Sequence, residues 1–178
     1  MKFMEYTFTL KYQLMEQPAT SQDELVERLG EAGCDDALVG IGLPGRIALE
    51  FVREADSAEH ALLSAAADVR KAIPTAVLIE AAPDLVGLTD VADVVGVSRQ
   101  NMRKLMLAHT ATFPVPVHEG SASLWHLAEV MAWLEARGTY RIEAPLLEVA
   151  STAMQINLAK AALRVRPGLK KVLRPLVA

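Results

Sequence analysis

The amino-acid sequence predicts an α+β fold: a βαββαβ unit first, a mostly helical unit second and a helical arm at the C-terminal end. Three observations predict it. Residues 5–14, EYTFTLKYQL, set Tyr6, Phe8, Leu10 and Tyr12 at every second position, the spacing of a strand with one buried face. From there to residue 80, strand-like and helix-like runs follow one another in a fixed order. Past residue 85 the apolar spacing becomes that of helices, and prolines and glycines divide the rest into segments.

Residues 15–20 contain Pro18 and read as a loop. Ser21 stands three residues before Glu24, a capping-box spacing in which each residue satisfies a backbone N–H of the other. Leu25, Val26 and Leu29 follow at helical spacing, and Gly30 and Gly33 mark the stop, so 22–32 is a helix. Two β-rich runs, 37–42 and 46–53, flank Leu43-Pro44-Gly45, a tight-turn sequence, and form a hairpin. Gly40, Gly42 and Gly45 also match G-x-G-x-x-G. A dinucleotide motif opens a helix, whereas a strand follows here, so no cofactor is expected. Ser57 caps a helix that ends before Pro74, and residues 76–80 (AVLIE) are the last strand. This order is the split βαβ, or ferredoxin-like, arrangement: two helices over one face of a four-stranded antiparallel sheet. It hosts many activities and implies none by itself.

Ala81-Ala82-Pro83-Asp84 marks a boundary, giving units at 1–82, 85–140 and 144–178. In the second, Thr89 reads as the cap of a helix over 90–95 with Val91, Ala92, Val94 and Val95 on its apolar side. Gly96 permits the left-handed turn conformation, and Ser98 caps a second helix, 98–107. Met102, Leu105 and Met106 are its buried side, and Arg99, Gln100, Asn101, Arg103 and Lys104 fill the other positions. A recognition helix needs this division, with one stripe packed on its own domain and donors and acceptors on the other. Arg bonds guanine bidentately, Gln and Asn do so with adenine, and Arg or Lys also holds phosphates. The predicted DNA-contacting set is Thr89, Ser98, Arg99, Gln100, Asn101, Arg103 and Lys104.

Three further features accompany that turn: Phe113-Pro114-x-Pro116-Val117, Trp125, and VMAWLEARG after it. With GVSRQNMRKL, they make residues 88–138 resemble the winged helix-turn-helix of the excisionase/AlpA group, related to MerR-type DNA-binding domains. The resemblance implies a β-hairpin wing with strands at 115–117 and 123–125 and its tip at 118–122. It implies that Trp125 closes the wing on the core and that a helix at 126–136 follows. The tip holds His118 and Glu119 but no Arg or Lys, which leaves most base contacts to the helix at Ser98.

Charge is unevenly placed. The net charge is −4, but residues 1–84 hold 15 acidic and 7 basic side chains, and residues 144–178 hold 1 acidic and 6 basic. The basic tail, Lys160, Arg164, Arg166, Lys170, Lys171 and Arg174, can follow phosphates despite the negative total, as can His118 at the wing. The 146–165 helix reads equally as a dimerisation arm, with Leu146, Val149, Ala153, Ile156, Ala159, Ala162 and Leu163 on one face; LKKVLRPLVA trails off after Pro167-Gly168. No apolar run approaches the ~20 residues that span a bilayer, and the N-terminus reads as a strand rather than a signal peptide, so a cytoplasmic, nucleoid-associated protein is expected. One cysteine, Cys34, excludes an intramolecular disulfide, and His60, His109, His118 and His126 lack ligand spacing, so no metal is expected. Asp35 and Asp36 read as solvated turn residues. No nucleophile–base pair or carboxylate pair stands out, so no enzyme is expected. The expected function is a homodimeric, sequence-specific transcriptional regulator bound to double-stranded DNA. Two other readings are an architectural, excisionase-like protein that bends or coats DNA, and an antitoxin-like module whose acidic N-terminal unit docks a protein partner.

Overall fold

The structure is a computed structural model and describes residues 3–15 and 21–177. The loop expected around Pro18 lies largely outside the described residues. The first six elements are β1 (Met4–Gln13), α1 (Gln22–Ala32), β2 (Ala37–Ile41), β3 (Arg46–Ala55), α2 (Ala58–Ala72) and β4 (Val77–Ala82). Their strands form one four-stranded sheet in the order β2-β3-β1-β4, with every neighbouring pair antiparallel.

Local chemistry places each element. Ser21 accepts from Glu24 N at 3.2 Å while Glu24 accepts from Ser21 N at 3.0 Å, which starts α1. Ser57 accepts from His60 N at 3.1 Å and starts α2. Pro44 and Gly45 turn the β2–β3 hairpin, where Gly45 takes φ +73°, a value that favours glycine. Alternation then puts Tyr6, Phe8, Leu10 and Tyr12 on the same sheet face as Ile47, Leu49 and Phe51, and all are buried. The Phe8 and Phe51 rings stack at 5.2 Å. A fully buried side chain of this kind contributes about 1.5–3 kcal/mol. The opposite face, with Glu5, Thr7, Lys11, Glu50, Val52 and Glu54, is exposed.

The rest of the chain holds β5 (Leu85–Val86), α3 (Leu88–Val95), α4 (Arg99–Ala108), β6 (Trp125–His126), α5 (Leu127–Ala136), α6 (Ala144–Ala162) and α7 (Pro167–Val177). A second core gathers Val86, Val91, Ala92, Met102, Phe113, Trp125, Leu127, Val130, Met131 and Leu134. The molecule is thus mixed α+β, with seven helices and a four-stranded antiparallel sheet among the described residues. No described helix is long and apolar enough to cross a membrane.

α6 departs from the expected arm. It packs against α2, β1 and β4 on one side and α5 on the other. Val149, Ala153 and Ile156 join the first core, and Leu146, Ala150 and Met154 join the second. Its apolar residues near the N-terminal end are therefore used within the chain. Its polar residues close the free edge of β4. Asn157 accepts from Ala81 N at 2.9 Å and donates to Ala81 O at 2.8 Å, as a neighbouring strand would. Lys160 donates to Ile79 O.

Three local expectations are corrected. The first helix of the second unit spans 88–95, not 90–95, and Thr89 is an exposed residue inside it rather than its cap. Asp90 accepts from Gly87 N at 2.8 Å, and this pairing fixes the start at Leu88. The expected wing strands contract to one antiparallel bridge, His118 with Leu124, because Trp125 and His126 pair with Val86 and Leu85 instead. The tail after Pro167 is a helix, not an irregular end: proline is at home in a first helical turn, where its missing N–H costs nothing.

Candidate functional site

α3 and α4 are joined by Gly96, Val97 and Ser98. Gly96 adopts φ +72° and ψ 32°, its N–H donates to Asp93 O at 3.2 Å, and Val97 N donates to Ala92 O at 2.9 Å. That paired closure ends α3 and reverses the chain, and a side chain at Gly96 would strain it. Ser98 then accepts from Asn101 N at 3.2 Å and opens α4. Ala92, at 1% exposure, lets α4 approach closely, and Met102 is fully buried against Val91 and Ala92 in the second core.

Met102 is the one residue of α4 in the buried class, with Leu105 and Met106 half-buried. Arg99, Gln100, Asn101, Arg103 and Lys104 are all exposed. None of their side chains has a hydrogen bond or ion pair with another described residue. No Asp or Glu occurs between Asp93 and Glu119, a stretch that holds these three cations. The structure therefore leaves all five predicted α4 residues exposed: Arg99, Gln100, Arg103 and Lys104 share one side of the helix, and Asn101 is at its edge beside Leu105. Thr89 is exposed on the neighbouring α3.

The segment after α4 is held by aromatics. Phe113 meets Trp125 edge-on at 6.0 Å and Trp133 at 5.1 Å. Trp125 Nε1 donates to Pro114 O at 3.0 Å, which fixes the Phe-Pro run beside α4. The Arg137 guanidinium lies 4.8 Å from the Trp133 ring centroid. His118, at the bridge, is exposed, as are the residues of the turn it opens through Ala122.

The C-terminal cations are divided. Lys160 is half-buried and engaged with Ile79 O, whereas Arg164, Arg166, Lys170, Lys171 and Arg174 are exposed.

Two buried polar groupings escape sequence reasoning. Asp84, at 1% exposure, receives His126 Nδ1 at 2.6 Å and Asn157 Nδ2 at 2.7 Å on its two carboxylate oxygens, while its backbone O accepts from Leu127 N at 2.7 Å. One carboxylate thus ties the segment after β4, the start of α5 and α6 together. Arg53 donates to both Asp36 oxygens (2.7 and 2.9 Å), Asp68 (2.9 Å), Ser64 (3.0 Å) and Gly33 O (2.8 Å). Asp36 is therefore a half-buried ion-pair partner, not the solvated turn residue expected. Burial pushes the nearby Cys34 thiol up to about 11, with Asp68 adding to the shift, so Cys34 is not a thiolate at neutral pH. These groups hold the fold. No group of three His, Cys, Asp or Glu able to hold a metal occurs among the described residues.

Compared with known proteins, the chain matches no family model, no curated protein and no solved structure.

Proposed function

We propose that this chain is a sequence-specific DNA-binding regulator that lays α4 in the major groove. The supporting observation is the surface of α4. Arg99, Gln100, Asn101, Arg103 and Lys104 stand exposed on a helix anchored by Met102, without partners among the described residues and without a carboxylate between Asp93 and Glu119. Ordinary packed helices carry solvated charges too, but these are of one sign and include two amides able to read base edges. In this reading α3, α4 and the His118–Leu124 bridge form a winged helix-turn-helix with a reduced wing, and residues 4–82 form a ferredoxin-like unit.

Arg99 and Gln100, nearest the N-terminal end of α4, reach base edges. Arg103 and Lys104, one turn further, read a base or hold phosphates. The N-terminus of α4 at Ser98 favours a phosphate there. The wing tip carries Glu119 and no Arg or Lys, so backbone affinity comes from α4 and from Arg164, Arg166, Lys170, Lys171 and Arg174. The protein acts as a homodimer, which presents two copies of α4 to a palindromic site.

The test is fluorescence-anisotropy binding to a genomic fragment library over a range of salt concentrations. A specific fragment should emerge, bound more weakly as salt rises. Arg99→Ala with Arg103→Ala should weaken it at least tenfold, since each bidentate base contact contributes about 1–3 kcal/mol of discrimination. A specific site bound equally well by the double variant would remove α4 from the reading. No binding to any DNA at low salt would remove DNA altogether. Ladders of complexes on long DNA would favour the architectural role.

A further inference from the structure

The two outer strands of the sheet end differently. The outer edge of β4 is occupied by Asn157 and Lys160 of α6. β2, at the other end of the strand order, has β3 as its only strand neighbour among the described residues. Its sequence, Ala-Leu-Val-Gly-Ile, holds no charge and no proline, and it pairs with β3 without a bulge. Charges, prolines and bulges are what keep an edge strand from pairing further, and β2 has none of them.

The free backbone groups follow from the register. Val52 N–H donates to Asp36 O at 3.2 Å, so the β2–β3 bonds run through the even-numbered residues of β2. The N–H and C=O of Val39 and Ile41, and the C=O of Ala37, therefore point outward, while Ala37 N–H donates to Cys34 O at 3.2 Å. Apolar side chains gather along the same edge. Leu38 is 73% exposed, and Ile41 and Leu43 are exposed too. α1 is the outermost helix here, because α2 packs between α1 and α6, and Gln22 and Leu25 line a cleft with Ile41 and Gly42. Val26 is exposed on the side of α1 turned away from Arg28, which reaches Ala72 of α2.

We propose that β2 pairs antiparallel with β2 of a second copy of this chain, about a two-fold axis at Val39, making one continuous sheet of both copies. The pattern of β2 matches itself in that register. Val39 exchanges two hydrogen bonds with the partner's Val39, and each Ile41 N–H donates to the other copy's Ala37 O. Leu38 falls opposite the partner's Gly40, so a leucine covers a position that has no side chain, and the contact occurs twice. Charge selects the same direction. Asp35 and Asp36 precede β2 and Arg46 follows its turn, so antiparallel pairing brings the acidic end of each copy to the basic end of the other, whereas parallel pairing sets Asp against Asp. An unrelated strand would satisfy the backbone but would not match leucine, glycine and both charged ends at once. The contact is two-fold and closed. It supplies the homodimer of the proposed regulator and does not rest on α4.

Sedimentation velocity on the full chain, without DNA, tests this apart from DNA binding. The wild type should be a dimer that dissociates on dilution. Leu38→Lys should weaken it about tenfold or more, with an unchanged far-UV circular dichroism spectrum because Leu38 is outside both cores. Gly40→Glu should do the same; a Cβ there meets only Ala48 O at 3.7 Å, an ordinary contact. Leu38→Lys combined with Gly40→Glu in one chain should recover the dimer, since each lysine then faces a glutamate across the joint. Amide hydrogen exchange at Val39 and Ile41 should be slow in the wild-type dimer and fast in the Leu38→Lys monomer. A dimer that survives Leu38→Lys, a double variant that stays monomeric, or fast exchange at Val39 and Ile41 in the dimer would each overturn the proposal. So would a wild type that is monomeric at every concentration, which leaves β2 to a strand of another protein.

Discussion

α2 and α4 handle polarity in opposite ways. α2 buries Ala58, Ala61, Leu62, Ala65, Val69 and Ala72, and its polar Ser64 and Asp68 are both taken up by Arg53. α4 buries Met102 alone, and its Arg, Lys, Gln and Asn side chains make no hydrogen bond or ion pair with another described residue. Both helices start at a serine cap, so the difference is not one of helix formation. On α2 folding consumes Ser64 and Asp68 and leaves Glu59, Arg70 and Lys71 exposed near its two ends. On α4 it leaves every cation and amide over, and what folding leaves over is what an outside partner can read.

Substitutions can break that contrast, and their effects on stability should fall in a definite order. Leu62→Ala empties a site at 0% exposure and should cost about 2–5 kcal/mol in denaturant unfolding. Arg53→Ala strands Asp36 and Asp68 and should cost ~3 kcal/mol, the lower end for a broken buried pair because both carboxylates keep some solvent. Arg53→Lys should recover only part of it, since an ammonium cannot reproduce five donations. Ser98→Ala removes the cap of α4 and should cost about 1 kcal/mol. Arg99→Ala with Arg103→Ala should change stability by less than about 0.5 kcal/mol, because no packing or internal bond is lost. A stability loss of several kcal/mol in that double variant would mean α4 is as internally committed as α2.

The smallest effect at neutral pH concerns Cys34. Its folded-state value is raised from 9.0 to about 11, so its contribution is present below pH 9 and is lost as pH rises through 11. Alkylation of the native protein at pH 8 should be slow and should become fast in denaturant.

Much of this fold is local in the sequence. Period-two alternation located β1, β-rich runs around Leu43-Pro44-Gly45 located β2, β3 and their turn, a capping box located α1, and a serine cap and Pro74 located α2. The α3–α4 pair was legible because Gly96 and Ser98 perform their tasks within three residues of each other. What escaped is long-range. Asp84, His126 and Asn157 are 42 and 73 residues apart along the chain and share no spacing that a window could detect. Arg53 did leave a signal: it occupies the inward register of Ile47, Leu49 and Phe51, where an arginine requires buried acids. The start of α3 was also marked, by Asp90 three residues after Gly87. α7 showed the i, i+3, i+4, i+7 pattern, but Pro167-Gly168 read as a breaker although proline also opens helices.

The two hydrogen bonds from Asn157 to Ala81, with Lys160 on Ile79, set how many strands this sheet can still accept. A sheet bare at both margins can add neighbours without limit, which is how ribbons and fibrils grow. Here β4 is sealed by α6, and among the described residues β2 is the margin left. Growth by strand addition has a valence of one: two sheets can join margin to margin, and the joined pair then offers no further site.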